Sequence, residues 1–361
     1  MSKYTPFLKM KNSEISALTE LKKEYQNLVP FFDFPKRDIK KTRDVTAVIK
    51  TKEELLLDSA DSCSSRVSKK LSWLTEFYLD NFDIEDNLLP NGLYNYQIII
   101  DNFAQLGMIP VFGVDRSEKH IDCIISNAKK GVFVHDRIAL RITKDDFFSF
   151  NIIQDDIKDL FDAFDGLFDK VDLVLDCRVV KVGEENKLAG EIINFINDSS
   201  KYFDFNKIII TGSMLPASIT TLMQPNTFID TERTELSVFR AVSSHYNHLD
   251  VSCGDYTCVT PEYSDPDMFV EDMNNIMTAK LIYPYLDRVY IERGGKVKVD
   301  KTQYVRIAKK IVSSPFYRQS SFSWGDHYLF KQSNGTGPNA TPASVVKPQI
   351  NLHISFMMSY L

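Results

Sequence analysis

Between residues 5 and 260 the sequence repeats one unit about eight times: a short continuous apolar run ending in a charged or small residue, then an amphipathic stretch. Runs such as "KVDLVLD", "KIIITGS" and "MIPVFGVD" are apolar on both faces, as a strand buried on both sides requires. Strands of that kind alternating with helices build a parallel sheet covered by helices. Eight such units in about 250 residues is the ordinary size of a (β/α)8 barrel. A doubly wound open sheet shares the local pattern but often opens on a glycine-rich turn, and no GxGxxG follows any run here. Residues 1–262 are therefore expected to form an α/β, TIM-like (β/α)8 barrel. Residues 263–361 change character and are expected to form a C-terminal α+β appendage packed on it.

The first unit is "YTPFLKMK" followed by a stretch in which Ile15, Leu18, Leu21, Tyr25 and Leu28 recur at three- and four-residue steps. That spacing predicts one helix, with Ser13 or Asn12 as its cap and Glu14 in its first turn. "TKEELLLDSADSCSSRVSKKL" reads as a long polar stretch, and Gly107 as the stop of the helix in "YNYQIIIDNFAQLG". In the appendage, "KLIYPYLDRVYIERGGK" reads as two strands joined by a turn and "QYVRIAKKIVSS" as a helix. The closing "INLHISFMMSYL" is apolar enough to dock back on the body.

Composition narrows the function classes. Lys+Arg number 43 against 49 Asp+Glu, a net charge of -6 that argues against a protein coating nucleic acid through a basic excess. The five cysteines, at 63, 123, 177, 253 and 258, form no CxxC, and the histidines do not stand at ligand spacing to them. Free thiols in a cytoplasmic setting and no zinc centre are expected. A hard cation such as Mg²⁺ on several aspartates stays open, since it needs only oxygen ligands. No apolar opening segment of the secretory type and no run of about 18 apolar residues is present, so no membrane partner is expected. Walker A, HExxH, EF-hand and kinase signatures are missing, and no cofactor is identified.

In a parallel barrel the strand C-termini share one rim, where barrel sites sit. Lys9, Lys11, Asp33, Asp80, Asp115, Arg141, Asp176 and Asp255 all stand at such ends. Lys9 and Lys11 share a strand face with Met10 opposite; facing inward, they either close a salt-bridge network or bind an anion such as phosphate. Asp176 is the strongest acid candidate, whereas Asp172, four residues earlier on the same face, is expected to be structural. Arg141, flanked by apolar residues, either pairs with a buried carboxylate or binds substrate. Ser213 lacks the GxSxG elbow of a nucleophile and suits a backbone or phosphate contact. Arg233 and Glu235 of "ERTEL" reach the rim or cap the next helix, Gly254 suits a close backbone approach, and Tyr256 follows Asp255 in "GDY". Arg293, with Gly294 and Gly295, is read as a flexible basic tip, and His327 and His353 as general acid–base candidates. The catalytic candidates are thus Lys9, Lys11, Asp176 and His327. The binding candidates are Glu14, Asp33, Asp115, Arg141, Ser213, Arg233, Glu235, Asp255, Tyr256 and Arg293.

"YTPFLKMKNSEISAL" resembles the N-terminal signature of the beta protein family of phages and bacteria. Tyr4, Pro6, Leu8, Lys9, Lys11, Glu14, Ala17 and Leu18 match that pattern, with Ser13 where Gly is commoner. Shorter similarities run through "IPV", "ALRI", "VDLVLD", "GSMLP", "RTEL", "GDY", "RGG", "WGD" and "NLHI", nearly the whole chain. The resemblance supplies no reaction. It implies a role in phage–host conflict. The rim charges suggest a phosphorylated or nucleotide-like ligand there; the alternative is a non-catalytic module that recognises nucleic acid or a defence-system partner protein.

Overall fold

The computed structural model describes residues 3–39, 41–246, 249–263 and 268–361. Eight parallel strands close a barrel: β1 (Tyr4–Lys9), β2 (Phe31–Asp33), β3 (Phe77–Asp80), β4 (Met108–Phe112), β5 (Arg137–Thr143), β6 (Lys170–Val179), β7 (Lys207–Ser213) and β9 (Val251–Asp255). The ring shuts where β1 pairs with β9, Tyr4 opposite Cys253 and Pro6 opposite Asp255. Around it lie α1 (Asn12–Leu18), α2 (Lys52–Lys70), α3 (Asn95–Phe103), α4 (Glu118–Lys129), α5 (Phe150–Phe164), α6 (Glu185–Ser199) and α7 (Thr234–His245).

Strand alternation divides the core into two layers. Phe7, Phe31, Tyr78, Ile109, Val111, Ala139, Val174, Ile209 and Tyr256 fill the inside of the barrel, with Phe7 stacked on Phe31 at 4.4 Å between ring centroids. The opposite faces, such as Leu8, Leu173 and Leu175, pack under the helices. The inner fill explains Gly254: a Cβ there would lie 2.8 Å from the Phe7 ring and 2.9 Å from Thr211 Cβ. Gly107 ends the turn after α3 with φ +93°, and a Cβ there would meet Thr75 O at 2.0 Å.

Two local expectations are corrected. The predicted helix through Leu28 stops at Leu18, followed by a 3₁₀ turn at Lys23–Tyr25. Thr19 Oγ1 takes the Ser16 carbonyl and Asn351 Nδ2 the Ala17 carbonyl, so the acceptors needed for the next turn are occupied. The helix's N-cap position belongs to Lys11, without a side-chain cap, rather than to Ser13 or Asn12. The stretch read as polar is helix α2. Thr51 and Glu54 form a capping box at its start, and Leu56, Ala60, Cys63 and Val67 make a buried stripe.

The rest of the chain forms a second layer. A three-stranded antiparallel sheet has the order β10 (Thr278–Tyr285), β11 (Arg288–Lys296), β8 (Thr227–Glu232), so its third strand comes from upstream of the last barrel strand. Helices α8 (Val270–Ile276), α9 (Gln303–Val312), α10 (Trp324–Ser333) and α11 (Val346–Tyr360) complete it. Tyr283, Tyr304, Ile307, Ile311, Leu329 and Leu352 form its own small core.

Candidate functional site

Arg141, on β5, stands at the centre of the rim with its side chain fully buried. Its Nη1 donates to Asp33 Oδ1 (2.6 Å) and Asp80 Oδ2 (2.8 Å). Its Nη2 donates to Asp176 Oδ2 (2.6 Å) and the Tyr256 hydroxyl (2.9 Å), and its Nε to Asp176 Oδ2 (3.2 Å). Tyr256 in turn donates to Asp176 Oδ2 at 2.7 Å. Carboxylates from β2, β3 and β6 therefore converge on one guanidinium supplied by β5. Burial alone would neutralise Asp176, but Arg141 and Arg178 hold its carboxyl below the usual range. Asp80 is held down in the same way by Arg116 and Arg141 against its own burial. An aspartate kept ionised in this manner is a poor general acid, so Asp176 is better suited to anchoring Arg141 and Tyr256. Asp172 lies lower on the same strand face and accepts from the Tyr78 hydroxyl (2.7 Å) and Asn206 Nδ2 (2.6 Å).

Above this centre lies a second tier. The Phe82 ring is flanked by the guanidinium carbons of Arg141 (4.4 Å), Arg178 (4.6 Å) and Arg116 (5.0 Å). Arg116 donates to Asp80 Oδ2 (2.8 Å) and Asp115 Oδ2 (2.9 Å). Arg178 has φ +52° beside a register shift between β6 and β7, a bulge that redirects its side chain over the mouth. There it donates to Pro261 O (2.9 Å) and lies 3.8 Å from Asp83.

Lys9 faces the same space, only 6% exposed, with Nζ 3.5 Å from the centre of the Tyr263 ring. No carboxylate among the described residues lies within 4.0 Å of it. Burial, reinforced by Lys11, lowers its pKa to about 8, while burial and the nearby Asp33 raise Asp83 to about 6. Asp80 Oδ1, Asp83 Oδ2 and Arg116 Nε are buried without a hydrogen-bond partner among the described residues. The second tier thus keeps both donor and acceptor capacity that the Arg141 centre has used up.

Other candidates lie elsewhere. Asp255, at the end of β9, alternates with Tyr256 and so points outside the barrel wall. It accepts from Tyr4 OH (2.8 Å), Arg233 Nη2 (2.7 Å) and the Thr257 amide (2.8 Å), with His353 Nε2 at 2.9 Å. Arg233 also donates to Glu235 Oε1 at 2.8 Å. Despite burial, His353 and Arg233 hold the Asp255 carboxyl far below its usual range. This second cluster gathers "YTP", "RTEL", "GDY" and "NLHI" and ties β1, β9, α7 and α11 together. It does not join the rim centre, correcting the expectation that Asp255 faces the mouth.

Glu14 is buried on α1, its carboxyl raised by that burial. Lys11 lies beyond the strand, 5.4 Å from the Tyr263 ring centre. Asp115 is exposed beside Arg116, and the Ser213 hydroxyl accepts from the Leu215 amide (3.1 Å). Arg293 is not a flexible tip: it lies buried within β11 and donates to Met223 O at 2.7 Å. His327 is exposed on α10, because the helix turns Asp326 inward to the Tyr283 hydroxyl (2.6 Å) and His327 outward. Phe82, Asp83, Arg116, Arg178 and Tyr263 were not among the sequence candidates. Phe82, Asp83, Arg116 and Tyr263 lie in loops beyond a strand end and Arg178 in the bulge near the end of β6, where barrel sites are built; "DNFD", "VDR" and "LDCR" carried that signal for all but Tyr263.

Among the described residues no group of three or more His, Cys, Asp or Glu side chains is arranged to hold a metal ion. Nor is any helix among them long and apolar enough to cross a membrane. No curated protein matches the chain. The Beta protein family model matches residues 4–359, nearly the whole sequence, and the chain belongs to that family.

Proposed function

We propose that this barrel binds, and in its biological setting processes, a small phosphorylated or nucleotide-like molecule at the second tier of the rim. The observation that carries the reading is Lys9. It is a buried, inward-facing cation with no carboxylate of the described residues within 4.0 Å, in a rim where Arg116 and Arg141 are each paired to an acid. A buried charge left in that state is costly unless something else compensates it. A phosphate would do so, with Arg116 Nε as a second donor, while Asp80 Oδ1 and Asp83 Oδ2 accept from hydroxyl or amino groups of the same molecule. Lys9, lowered to about 8, and Asp83, raised to about 6, are both shifted toward neutrality, which suits proton transfer. The setting we attach to this activity, phage–host conflict in the cytoplasm, rests on the family resemblance.

A second reading has its own support. Every N–H group of Arg141 that faces the rim already has an acceptor, which suits a closed structural keystone. On that reading the protein is a non-catalytic module that recognises a protein or nucleic acid in a defence system. Calorimetry with inorganic phosphate, AMP and ATP separates the two. The first reading expects binding by the wild type that Lys9→Ala lowers at least tenfold, together with loss of any phage-plating phenotype. A Lys9→Ala protein that folds normally and keeps the phenotype rejects it.

A further inference from the structure

Beside the barrel, β10 and β11 place two cations directly opposite each other. Lys280 and Arg293 are cross-strand partners, a pairing that like charges normally disfavour. Both line a cleft of about 320 Å³ formed with the loop after β7 and with α8. Arg293 is 6% exposed and spends its donors on Met223 O (2.7 Å) and Thr278 Oγ1 (3.3 Å), neither of them charged. Lys280 has no hydrogen-bond acceptor or ion-pair partner among the described residues. None of the described residues lining this cleft is acidic, whereas Ser218, Thr220, Thr260 and Thr278 bring hydroxyls to its wall.

A second cleft of about 340 Å³ shares Lys280, Thr260, Thr278 and Ile219 with the first. It continues toward Val259, Tyr304, Pro342 and Val345, a mainly apolar wall with no described acidic residue. Two uncompensated cations at one end and an aromatic, aliphatic wall at the other define the occupant's chemistry. We propose that Lys280 and Arg293 form an anion site for the phosphate or carboxylate head of a small amphiphile whose apolar body lies against Tyr304 and Val345. The bound anion supplies the counter-charge that the facing strands lack, and the hydroxyl groups orient it. This site shares no lining residue with the second tier of the rim and does not depend on the ligand proposed there.

Burial lowers the Lys280 pKa, with Arg293 acting in the same direction, so its amine is open to acetylation at mildly alkaline pH. A bound anion reverses that by holding the lysine protonated and covered. The test follows acetylation of Lys280 and of the exposed Lys201 by peptide mass spectrometry at pH 8, with phenyl phosphate, hexanoate or inorganic phosphate added. Phenyl phosphate or hexanoate is expected to slow labelling of Lys280 at least tenfold, with Lys201 unchanged. Inorganic phosphate is expected to protect at higher concentration, since it lacks the apolar body. Arg293→Met is expected to abolish the protection and Lys9→Ala to leave it intact. Absence of protection in the wild-type protein overturns the proposal, and that arm stands even where Arg293→Met does not fold. Protection lost in a folded Lys9→Ala protein also overturns it, because it assigns the effect to the rim.

Discussion

Replacing Arg141 by methionine tests what holds the barrel mouth together. The substitution keeps much of the side-chain volume and removes five hydrogen bonds to Asp33, Asp80, Asp176 and Tyr256. Asp80 keeps Arg116, and Asp176 keeps the Tyr256 hydroxyl and the Arg178 amide. Asp33 is left buried with no side-chain partner among the described residues. Breaking a buried ion pair by removing one member costs about 3–5 kcal/mol, because the remaining charge is uncompensated. With an unfolding entropy of about 2.1 cal/mol/K per residue, the 361 residues give roughly 0.8 kcal/mol/K, so Tm at pH 7 falls by about 4–7 °C. The pH dependence has a defined sign. Asp80 and Asp176 have depressed pKa values in the folded state, so their contribution is complete above the unfolded value of about 3.9 and is lost as pH falls through the folded values. The deficit of Arg141→Met is therefore widest near pH 7 and narrows below about pH 4. Adding Asp33→Asn removes the stranded charge and should recover about 1 kcal/mol or more in a double-mutant cycle. Differential scanning calorimetry from pH 3 to pH 7 measures each of these. A variant that melts within about 1 °C of wild type at pH 7 would refute the view that this network holds the rim.

Lys9→Met should have the opposite effect on stability. Because the folded-state pKa is lowered to about 8, the charged lysine costs stability at every pH below 8, and the cost disappears as pH rises toward 10.5. Urea unfolding should show the variant more stable than wild type by about 1–3 kcal/mol at pH 7, with the gap closed near pH 10.5; a less stable variant at pH 7 contradicts an uncompensated Lys9. At the second cluster, Asp255→Ala leaves His353 without its carboxylate and Arg233 with Glu235 as its one carboxylate among the described residues, and should loosen α11 from the barrel wall, at a cost of about 3–5 kcal/mol. Hydrogen exchange should rise first across Val346–Tyr360, and unchanged protection there removes the tethering role.

The family signature looks different once the structure separates its parts. Tyr4, Arg233, Asp255 and His353, from four distant motifs, meet in one buried cluster that docks α11 and α7 onto the β1–β9 seam. The short motifs that carry the resemblance therefore mark the closure of the fold as well as the rim. Lys9 and Asp255 show how little separates the two roles: both end strands, but the first faces the mouth and the second the outer wall.

The sequence by itself determined the barrel. Its apolar runs and helical stripes are local periodicities set by backbone geometry, and eight of them leave few topologies to choose from. It also determined that strand-end charges such as Asp33, Asp80, Arg141 and Asp176 gather on one rim, since parallel strands share a direction. Only the tertiary structure decided which of those charges cancel. Arg141 satisfies three aspartates from three strands, whereas Lys9 is left with an aromatic ring. The pairing of side chains 35 to 108 residues apart depends on strand register and loop path, and neither is written in local pattern. The same holds for Lys280 and Arg293: each is an ordinary strand residue until an antiparallel register sets them face to face, with no acidic partner among the described residues.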